Sequence, residues 1–266
     1  MENIFNEHTF VICAYKESRY LEECILSLRK QHMKSKIIMV TSTPNDWIQK
    51  MADQYQIPLY VNEGESGITQ DWNFGLEHVQ TRYATVAHQD DTYEPEYLEI
   101  LLKNMEKAKR PLIGFSDYSE LRNGEKIYKN VNLNIKNIML FPLKFKLFQG
   151  SRFVRRRILS LGDPICCPAV TFCFDHLKRP VFKNGFRSCE DWEAWEAISR
   201  LKGQFVYCAS PLMSHRIHEE SATTAIIGDN ARQKENYIMY CKFWPPFIAR
   251  IINGFYNKSE ESNTLK

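Results

Sequence analysis

The amino-acid sequence predicts an α/β protein with a mostly parallel central sheet flanked by helices. In the first 110 residues, short apolar runs that are typical of strands alternate with segments whose apolar residues recur at helical spacing. Strands that alternate with helices of this length are usually parallel and joined by crossover helices. After residue 110 the alternation stops. Because 266 residues suffice for one large domain, we expect two halves of a single domain, followed by a tail.

Residues 1–110 are the first predicted half. Four apolar runs are strand candidates, at 9–14, 36–41, 57–61 and 83–87. Three helices are predicted from apolar residues at helical spacing: Leu21, Ile25, Leu28 and His32; Ile68, Trp72, Leu76 and Val79; Tyr97, Leu98, Leu101, Leu102 and Met105. The last of these helices is expected to begin near Pro95, because proline is favoured in a first helical turn.

Residues 111–225 are the second predicted half, and residues 226–266 are expected to form a C-terminal helical tail. Asn123-Gly124 stands between two strand-like runs, which is a strong signal for a two-residue hairpin. The other expected elements are a basic helical region, two strands and one further helix, at 135–160, 169–174, 204–209 and 189–201 respectively.

Composition and charge restrict the partners and the compartment. The formal net charge is +3, whereas proteins that bind the phosphate backbone of nucleic acids usually carry a clear basic excess, so no nucleic-acid partner is expected. The N-terminus lacks the basic region and long apolar run of a signal peptide, and no stretch approaches the ~18 apolar residues of a membrane span. The eight cysteines form no CxxC pair. Reduced, mostly buried thiols and a cytoplasmic location are therefore expected.

Two adjacent aspartates follow the fourth predicted strand, in the segment VAHQDDTYEP. Ligands of parallel α/β sheets collect at the carboxyl ends of the strands, where Asp90 and Asp91 are expected. Mg²⁺ is usually held by one or two carboxylates together with the phosphates of its substrate. Alternatively, Asp91 or Thr92 caps the helix that is expected from about Glu94. Both roles are compatible, because the two aspartates point in different directions.

Three segments resemble the family 2 glycosyltransferases of the GT-A fold. They are FVICAYKESRYLEECILSL, GITQDWNFGLEHVQTRYATVAHQDDTYEPEYLE and SCEDWEAW, and the resemblance runs in order over roughly residues 9–220. It implies a GT-A-like α/β fold with a C-terminal lobe on the acceptor side. It also implies a nucleotide-diphosphate sugar as donor, Mn²⁺ or Mg²⁺ as cofactor, and inversion at the anomeric carbon.

The Asp-x-Asp signature of this family falls on His88, Gln89 and Asp90, and Asp91 follows it. The resemblance implies that Asp90 ligates the metal, with Asp91 and His218 as further candidate ligands. His88 occupies the position of the first family aspartate. Together with Gln89 it is a candidate contact for the donor.

Further donor-binding residues are implied after the first two strands and on the helix before the fourth: Ala14, Tyr15, Glu17, Thr41, Ser42, Asn73 and Gly75. Thr41 and Ser42 stand where the family commonly has an aspartate that reads the base, and hydroxyls can still hydrogen-bond a base edge. Tyr15 matches a family aromatic near the base, or it is a half-buried tyrosine at a strand end. Gly75 belongs to a family Asn-x-Gly match, or it lets a helix approach the sheet closely.

The segment SCEDWEAW contains a second acidic pair. The resemblance implies that Asp191 is the general base that takes the proton of an acceptor hydroxyl, a role that contributes about 10²–10⁴ in rate. Glu190 would orient it or contact the acceptor, because neighbouring helix residues diverge by about 100°. The alternative is a capping box, with Ser188 at the N-cap and Asp191 three residues later.

The segment SHRIHEESATT follows the last predicted strand. In related enzymes a similar segment closes over the diphosphate, which implies that Arg216 pairs with phosphate and that Ser221 adds a hydrogen bond. His218 would contact metal or phosphate, or it is a solvated loop residue.

Two basic regions have alternative interpretations. Four arginines are interpreted as a solvated basic helix face, with contact to an anionic acceptor as the alternative: Arg152, Arg155, Arg156 and Arg157. The tail mixes aromatic residues with Lys242, Arg250 and Lys258. This composition suits peripheral contact with an anionic membrane, a dimer face or a packed terminal helix.

The resemblance, together with these patterns, implies an inverting glycosyltransferase that moves a sugar from a nucleotide-sugar to a hydroxyl of a glycan or lipid-linked acceptor, in surface polysaccharide biosynthesis. One alternative is a non-catalytic module that binds a nucleotide-sugar or glycan. Another is a glycoside hydrolase, which also uses two carboxylates but needs neither nucleotide nor metal. The alternation of strands and helices before residue 110 counts against the hydrolase.

Overall fold

The protein has the predicted α/β architecture, with one mixed sheet between layers of helices. The computed structural model describes residues 7–218 and 231–261, without the side chains of 231 and 257–261. The strands in these ranges are β1 His8–Cys13, β2 Lys36–Thr41, β3 Leu59–Val61, β4 Tyr83–His88, β5 Thr92–Tyr93, β6 Pro111–Arg122, β7 Glu125–Ile127, β8 Val170–Cys173 and β9 Gln204–Arg216. The helices are α1 Leu21–Arg29, α2 Asp46–Gln54, α3 Ile68–Glu77, α4 Tyr97–Glu106, α5 Val131–Leu140, α6 Lys146–Gln149, α7 Arg152–Leu159, α8 Glu190–Ser199, α9 Ala231–Cys241 and α10 Pro246–Glu261.

The sheet has the strand order β3-β2-β1-β4-β8-β6-β9-β5, and β7 pairs with β6. Strands β1 to β4 are parallel, as the alternation of strands and helices predicts. β8 is antiparallel to both β4 and β6, whereas β6 and β9 are parallel to each other. The sheet therefore runs without interruption through both predicted halves. Its second half is mixed because β8, which comes much later in the chain, lies antiparallel between β4 and β6.

Alternate side chains of the first parallel strands enter two separate apolar cores. Val11 and Val86 lie with Leu76 of α3 in one core, whereas Phe10 and Ile12 lie with α1, α2 and α4 in the other. This alternation is the two-residue period of a strand. Because both faces of the sheet are covered, its strands are almost continuous apolar runs. Polar residues lie at both ends of these strands: His8 and Thr9 begin β1, whereas Thr41 and His88 end β2 and β4.

The hairpin predicted at Asn123-Gly124 is confirmed. Both residues have positive φ, 50° and 85°, which is the backbone of a type I′ turn, and they join β6 to β7. The basic helical region is also confirmed, but it is divided into α5, a 3₁₀ turn at Phe141–Lys144, α6 and α7. Pro142 begins this division, since proline favours the first turn of a helix and disrupts its interior.

The last predicted strand is too short in the sequence interpretation. β9 continues past residue 209 to Arg216, so the start of the segment SHRIHEESATT is a strand end and not a loop. Ser210 and Pro211 resemble a strand terminus. Here they form an irregularity instead, where the pairing register of β9 shifts against Asp117 of β6.

The interpretation of the arginines of α7 as a solvated face is wrong for Arg155. This side chain is buried and donates to the backbone oxygens of Ser199, at 2.8 Å, and Gly203, at 2.6 Å. Arg156 is half-buried and donates to Glu196 at 2.6 Å. Two of the arginines therefore hold α7 against α8 and the strand that follows it.

Helices α9 and α10 pack on the second half of the domain. Trp244, between them, donates to the backbone oxygen of Ser160 at 2.8 Å, and Tyr240 meets Trp192 of α8 edge to face. The tail is thus at least partly a packed terminal element. Among residues 7–218 and 231–261, no helix combines the length and the apolar character that a membrane span requires.

Candidate active site

The site lies at the carboxyl ends of β1, β2 and β4, where the end of β9 joins them. β4 ends at His88, and Asp90 and Asp91 follow it. The two-residue strand β5 then pairs with β9, Thr92 opposite Ser214. This pairing brings His215, Arg216 and His218 to the acidic pair, although about 125 residues separate them in sequence.

Asp91 is fully buried and bound to β9. Its carboxylate accepts from the backbone N–H of Arg216 at 2.9 Å and from Nδ1 of His215 at 3.0 Å. Burial alone would lower the pKa of His215, but the charge of Asp91 raises that pKa to about 9. At neutral pH the two groups therefore form an ion pair that fixes β9 beside β4.

The alternative role of Asp91 or Thr92 as a helix cap is wrong. α4 begins at Tyr97, its N-cap position is Glu96, and no side chain caps it. Thr92 belongs to β5, and the Asp91 carboxylate is used by β9. The short strand β5 separates the acidic pair from the helix, which propensity alone does not reveal.

Asp90 is the more accessible carboxylate. It accepts from Nε2 of His218 at 2.9 Å. Burial opposes its ionisation, but the hydrogen bond from His218 and the interactions with His88 and His215 lower the pKa of Asp90. The carboxylate is therefore ionised at neutral pH.

Three of these side chains have the spacing of metal ligands. One ligand atom each from His88, Asp90 and Asp91 lies within 4.8 Å of the others, close to the separation of ligands about 2.0–2.4 Å from one ion. Nε2 of His88 is buried without a hydrogen-bond partner, and its ring is held by stacking on Trp72 at 5.2 Å. Two carboxylates suit Mg²⁺ or Mn²⁺. A nitrogen ligand favours Mn²⁺ over the harder Mg²⁺.

Arg216 crosslinks the site. Its Nε donates to the backbone oxygen of Asp90 at 2.8 Å, and its terminal nitrogen donates to Glu23 at 2.5 Å. The guanidinium also lies over the ring of Tyr20 at 4.2 Å. Contact of Arg216 with phosphate stays a prediction, and it would exchange the exposed Glu23 carboxylate for a ligand. Ser221 lies outside the described residues.

The ends of β1 and β4 are joined by Gln89. Its amide accepts from the backbone N–H of Tyr15 at 3.0 Å and donates to the Tyr15 oxygen at 2.9 Å. The Tyr15 ring is consequently held at the edge of the site with 49% of its surface exposed. Ala14 is buried and Glu17 is exposed beside it. Donor contacts by these residues stay predictions.

At the end of β2, sequence reasoning missed Asp71. Thr41 is fully buried, whereas Ser42 donates to Asp71 at 2.6 Å and Asn62 donates to its other oxygen at 2.8 Å. The position where the family commonly has a strand-two aspartate thus has a carboxylate supplied from α3. An acidic residue in the first turn of an otherwise apolar helix face is the sequence signal that could have revealed it.

Asn73 and Gly75 have structural roles in α3. Both ends of the Asn73 amide bond the backbone of residues 181–182, at 2.8 and 3.1 Å. A Cβ on Gly75 would lie 2.4 Å from Val11 and 3.2 Å from Val40. The packing interpretation of Gly75 is therefore supported, and direct donor contact by either residue stays a prediction.

The second acidic pair begins α8. The capping-box interpretation is wrong, because Cys189 is at the N-cap position without a side-chain cap bond and Ser188 donates to Glu235 of α9 at 2.6 Å. Burial raises the pKa of Asp191, and it raises the pKa of Glu190 to about 7. Interaction with His88 lowers the pKa of Asp191 as well as that of Asp90.

Sequence reasoning also missed Asp163 and Lys136. Burial and the hydrogen-bonded Asp191 carboxyl raise the pKa of Asp163 well above its usual range. Lys136 of α5 donates to the hydroxyl of Tyr118 at 2.9 Å and acts electrostatically on both carboxyls. Asp163 is the one acidic residue between Glu125 and Asp175, which is the sequence signal that it offered.

We expect Asp163 to be protonated at neutral pH and to donate a hydrogen bond to Asp191. Asp163→Asn keeps a neutral donor and should lower kcat less than tenfold. Asp163→Leu removes a hydrogen bond to a charged group, about 1.5–3 kcal/mol, and should lower kcat about 10- to 100-fold. It should also move the acidic limb of the pH–kcat profile to higher pH, because ionised Asp191 loses its donor. An unchanged profile in the Leu variant would exclude this role.

Comparisons with known proteins agree with the geometry. The family described as "Glycosyl transferase family 2" matches residues 9–171. Glycosyltransferase GlyA of Streptococcus pneumoniae serotype 4 is 23% identical over 183 residues, which cover 58% of this chain and 26% of GlyA. The chain thus spans about a quarter of that relative's length.

Two solved structures with nucleotide-sugars share the fold. S. aureus TarS 1-349 in complex with UDP-GlcNAc has a TM-score of 0.64 at 13% identity, over 93% of this chain and 70% of that chain. Mannosyltransferase PcManGT from Pyrobaculum calidifontis, in complex with GDP-Man and Mn²⁺, has a TM-score of 0.64 at 13% identity, over 94% and 69%. Another TarS crystal structure is matched over 42% of its length. The GT-A-like fold predicted from the sequence is confirmed.

Proposed function

This chain belongs to glycosyl transferase family 2, and we propose that it moves a sugar, with inversion, from a nucleotide-diphosphate sugar to a hydroxyl of a glycan or lipid-linked acceptor. The observation that carries the proposal is a pair of acidic centres with opposite properties, both of which interact electrostatically with His88. Asp90 is held ionised at a strand end, whereas Asp191 has a raised pKa at the start of a helix. Ionised Asp90 is suited to binding a cation, whereas Asp191 is suited to accepting a proton.

On the donor side, the ends of β1 and β2 would hold the nucleotide. Tyr15 offers an exposed ring, and the Asp71 carboxylate with Ser42 offers acceptors and donors for a base edge. Asp90 and His88, with Asp91, would hold Mn²⁺ or Mg²⁺. A bound divalent ion neutralises charge on a departing diphosphate. That TarS and PcManGT were solved with UDP-GlcNAc and GDP-Man supports this class of donor.

On the acceptor side, Asp191 would take the proton of the attacking hydroxyl. As the acceptor oxygen bonds to the anomeric carbon, the bond from that carbon to the diphosphate oxygen breaks on the opposite face, which inverts the configuration. Protonated Asp163 would hold the Asp191 carboxylate in place and stabilise its ionised form. Since the pKa of Asp191 is raised by burial, the group is a stronger base than an exposed aspartate.

The proposed place of action is the cytoplasm, at the inner face of the membrane, in surface polysaccharide biosynthesis. The basic and aromatic composition of the C-terminal tail supports peripheral membrane contact there. Five of the eight cysteine side chains are buried, in keeping with the thiols expected for such a compartment.

Thermal-shift measurements with UDP- and GDP-sugars, each with and without Mn²⁺, test the donor. At 100 times Kd a donor should stabilise the native state by about 2.7 kcal/mol, which raises Tm by about 5–10 °C for a domain of this size. Mn²⁺ alone and a nucleoside monophosphate are the controls. If no nucleotide-sugar raises Tm, the donor assignment fails. A donor that raises Tm but is never turned over, with any acceptor, favours a non-catalytic module.

A further inference from the structure

We propose that the outward side of residues 131–153, together with the outward side of α10, docks on an anionic phospholipid bilayer and turns the acceptor side of the cleft toward that bilayer. We call the outward side of residues 131–153 the basic-aromatic surface. The docking itself does not depend on the proposed function. Its consequence for the acceptor rests on the proposed transferase reaction.

Helix α5 is apolar on two sides. Leu133 and Leu140 are buried against the domain, as the inner face of a surface helix normally is. Val131, Ile135 and Ile138, spaced by four and three residues, form a second apolar stripe that faces outward, and Ile138 is 73% exposed. Nothing in the described residues covers this stripe. A helix side that contacts only water is normally polar, so this apolar side needs another explanation.

The turn after α5 continues this apolar side. The rings of Phe141, Phe145 and Phe148 follow one another with centroids 5.6 and 6.2 Å apart, and all three are exposed. Leu147 is 84% exposed and Phe153 is 73% exposed. Contiguous exposed apolar surface of this extent is unusual for a monomer and marks an interaction site.

The same stretch has a strongly one-sided charge. Residues 126–162 contain nine Lys and Arg and no Asp or Glu, although the whole chain carries only +3. Some of these cations form hydrogen bonds within the domain, for example Arg155 and Arg156. Lys129, Lys144 and Lys146 are exposed among the apolar residues. Cations next to exposed aromatic rings are typical of segments that lie in the headgroup region of anionic membranes.

Helix α10 adds a second stripe beside the first. Phe247, Ile251 and Phe255 are spaced by four residues and all are exposed. Tyr256 of α10 and Met139 of α5 both approach Gly162, at 3.2 and 3.7 Å from where its Cβ would be. The two helices that carry the exposed stripes are therefore neighbours.

A bilayer fits this surface better than a second copy of the chain. Most symmetric dimers place the same patch of each subunit against its equivalent, which would oppose one basic surface to another. Anionic headgroups neutralise the cations, and the acyl boundary accepts the aromatic and aliphatic side chains. The charge complementarity therefore favours lipid.

The position of α5 gives the docking a consequence for catalysis. From the same helix Lys136 turns inward and donates to the hydroxyl of Tyr118 at 2.9 Å. The Tyr118 ring meets edge to face, at 6.2 Å, the ring of His215 that bonds Asp91. The helix that lies on the lipid thus also adjoins the candidate active site. An acceptor carried on a lipid would reach Asp191 without leaving the bilayer.

Co-sedimentation of the full chain with vesicles tests the docking. We expect binding to vesicles of phosphatidylcholine with 30% phosphatidylglycerol, at least tenfold weaker binding to phosphatidylcholine alone, and weakening by salt. The double variant Lys144→Glu, Lys146→Glu and the variant Leu147→Ser should each lower the affinity at least tenfold. Their matched controls are the double variant Lys107→Glu, Lys109→Glu at the end of α4, and Leu201→Ser, which are also exposed and should bind like the wild type.

Failure to bind anionic vesicles, or equal losses in the controls, overturns the proposal. A dimer seen by light scattering that Leu147→Ser dissociates, without vesicle binding, assigns the surface to a second copy and also overturns it. The donor-dependent Tm shift of the same variants is measured in parallel. Vesicle binding without any donor shift leaves the docking intact and removes the proposed function, so the two failures are distinguishable.

Discussion

Asp191→Asn is expected to lower kcat by about 10²–10⁴-fold, the contribution of a general base, while donor affinity stays within about twofold of the wild type. The amide keeps the shape of the side chain and can still accept from the backbone N–H of Trp192, which Asp191 bonds at 2.8 Å. It cannot take a proton at neutral pH. Steady-state turnover and donor-dependent Tm shifts of the same preparation measure the two effects separately.

The pH dependence of the wild type gives an independent measurement. Asp191 acts only when ionised, so activity must fall as pH decreases through its pKa. Because burial raises that pKa, the acidic limb of kcat/KM should lie above the usual aspartate value of about 3.9. Asp191→Asn should abolish this limb in whatever activity remains.

Glu193→Gln is a matched control on the same turn of α8. Glu193 is acidic and its carboxylate pairs with Lys242, which follows α9, so its loss should change kcat less than twofold. If Asp191→Asn turns over like this control, the base is another group, and Glu190, with a pKa near 7, becomes the first candidate.

Asp90→Asn is expected to be the second most damaging change. An ionised carboxylate is the main charge that this site offers to a cation, and metal ions supply several kcal/mol of charge stabilisation to a departing oxyanion. Its loss should lower kcat/KM by about 10²–10³-fold. It should also abolish any further rise in Tm that Mn²⁺ causes in the presence of the nucleotide-sugar.

Two further measurements make this prediction specific. Mn²⁺ binding, followed by electron paramagnetic resonance or calorimetry, should weaken at least tenfold in Asp90→Asn but not in Asp53→Asn, an exposed aspartate at the end of α2. An Asp90→Asn variant whose turnover still requires the same Mn²⁺ concentration would place the cation elsewhere.

Local patterns predicted most of the first half of the fold. Apolar runs and helical spacing, as at Leu21 and Leu98, predict which residues are buried. They do so because side chains return to the core side of a strand or helix at regular intervals along the chain. Asp90 was predicted from its place after a strand, whereas the role of Asp191 was implied by the family resemblance, and both roles stay predictions. The turn at Asn123-Gly124 was equally local.

Interactions between distant segments were missed or misjudged. The extent of β9 depends on its pairing with β6, and the Asp91 carboxylate follows β9 rather than α4. Ser188 bonds Glu235 instead of capping its own helix. Local patterns did not predict this bond, because the two residues are 47 positions apart in the chain. Asp71, Lys136 and Asp163 are candidate site residues only because the fold brings each of them next to a residue from another element.

The sequence by itself therefore determined the fold class and the order of most elements, because periodicity and motif spacing act over a few residues. Only the tertiary structure decided which groups surround the two acidic centres, whether Asp91 caps a helix or anchors a strand, and which side of α5 faces outward. These depend on pairings across many tens of residues, where the packing of one segment against another selects among local conformations of similar free energy.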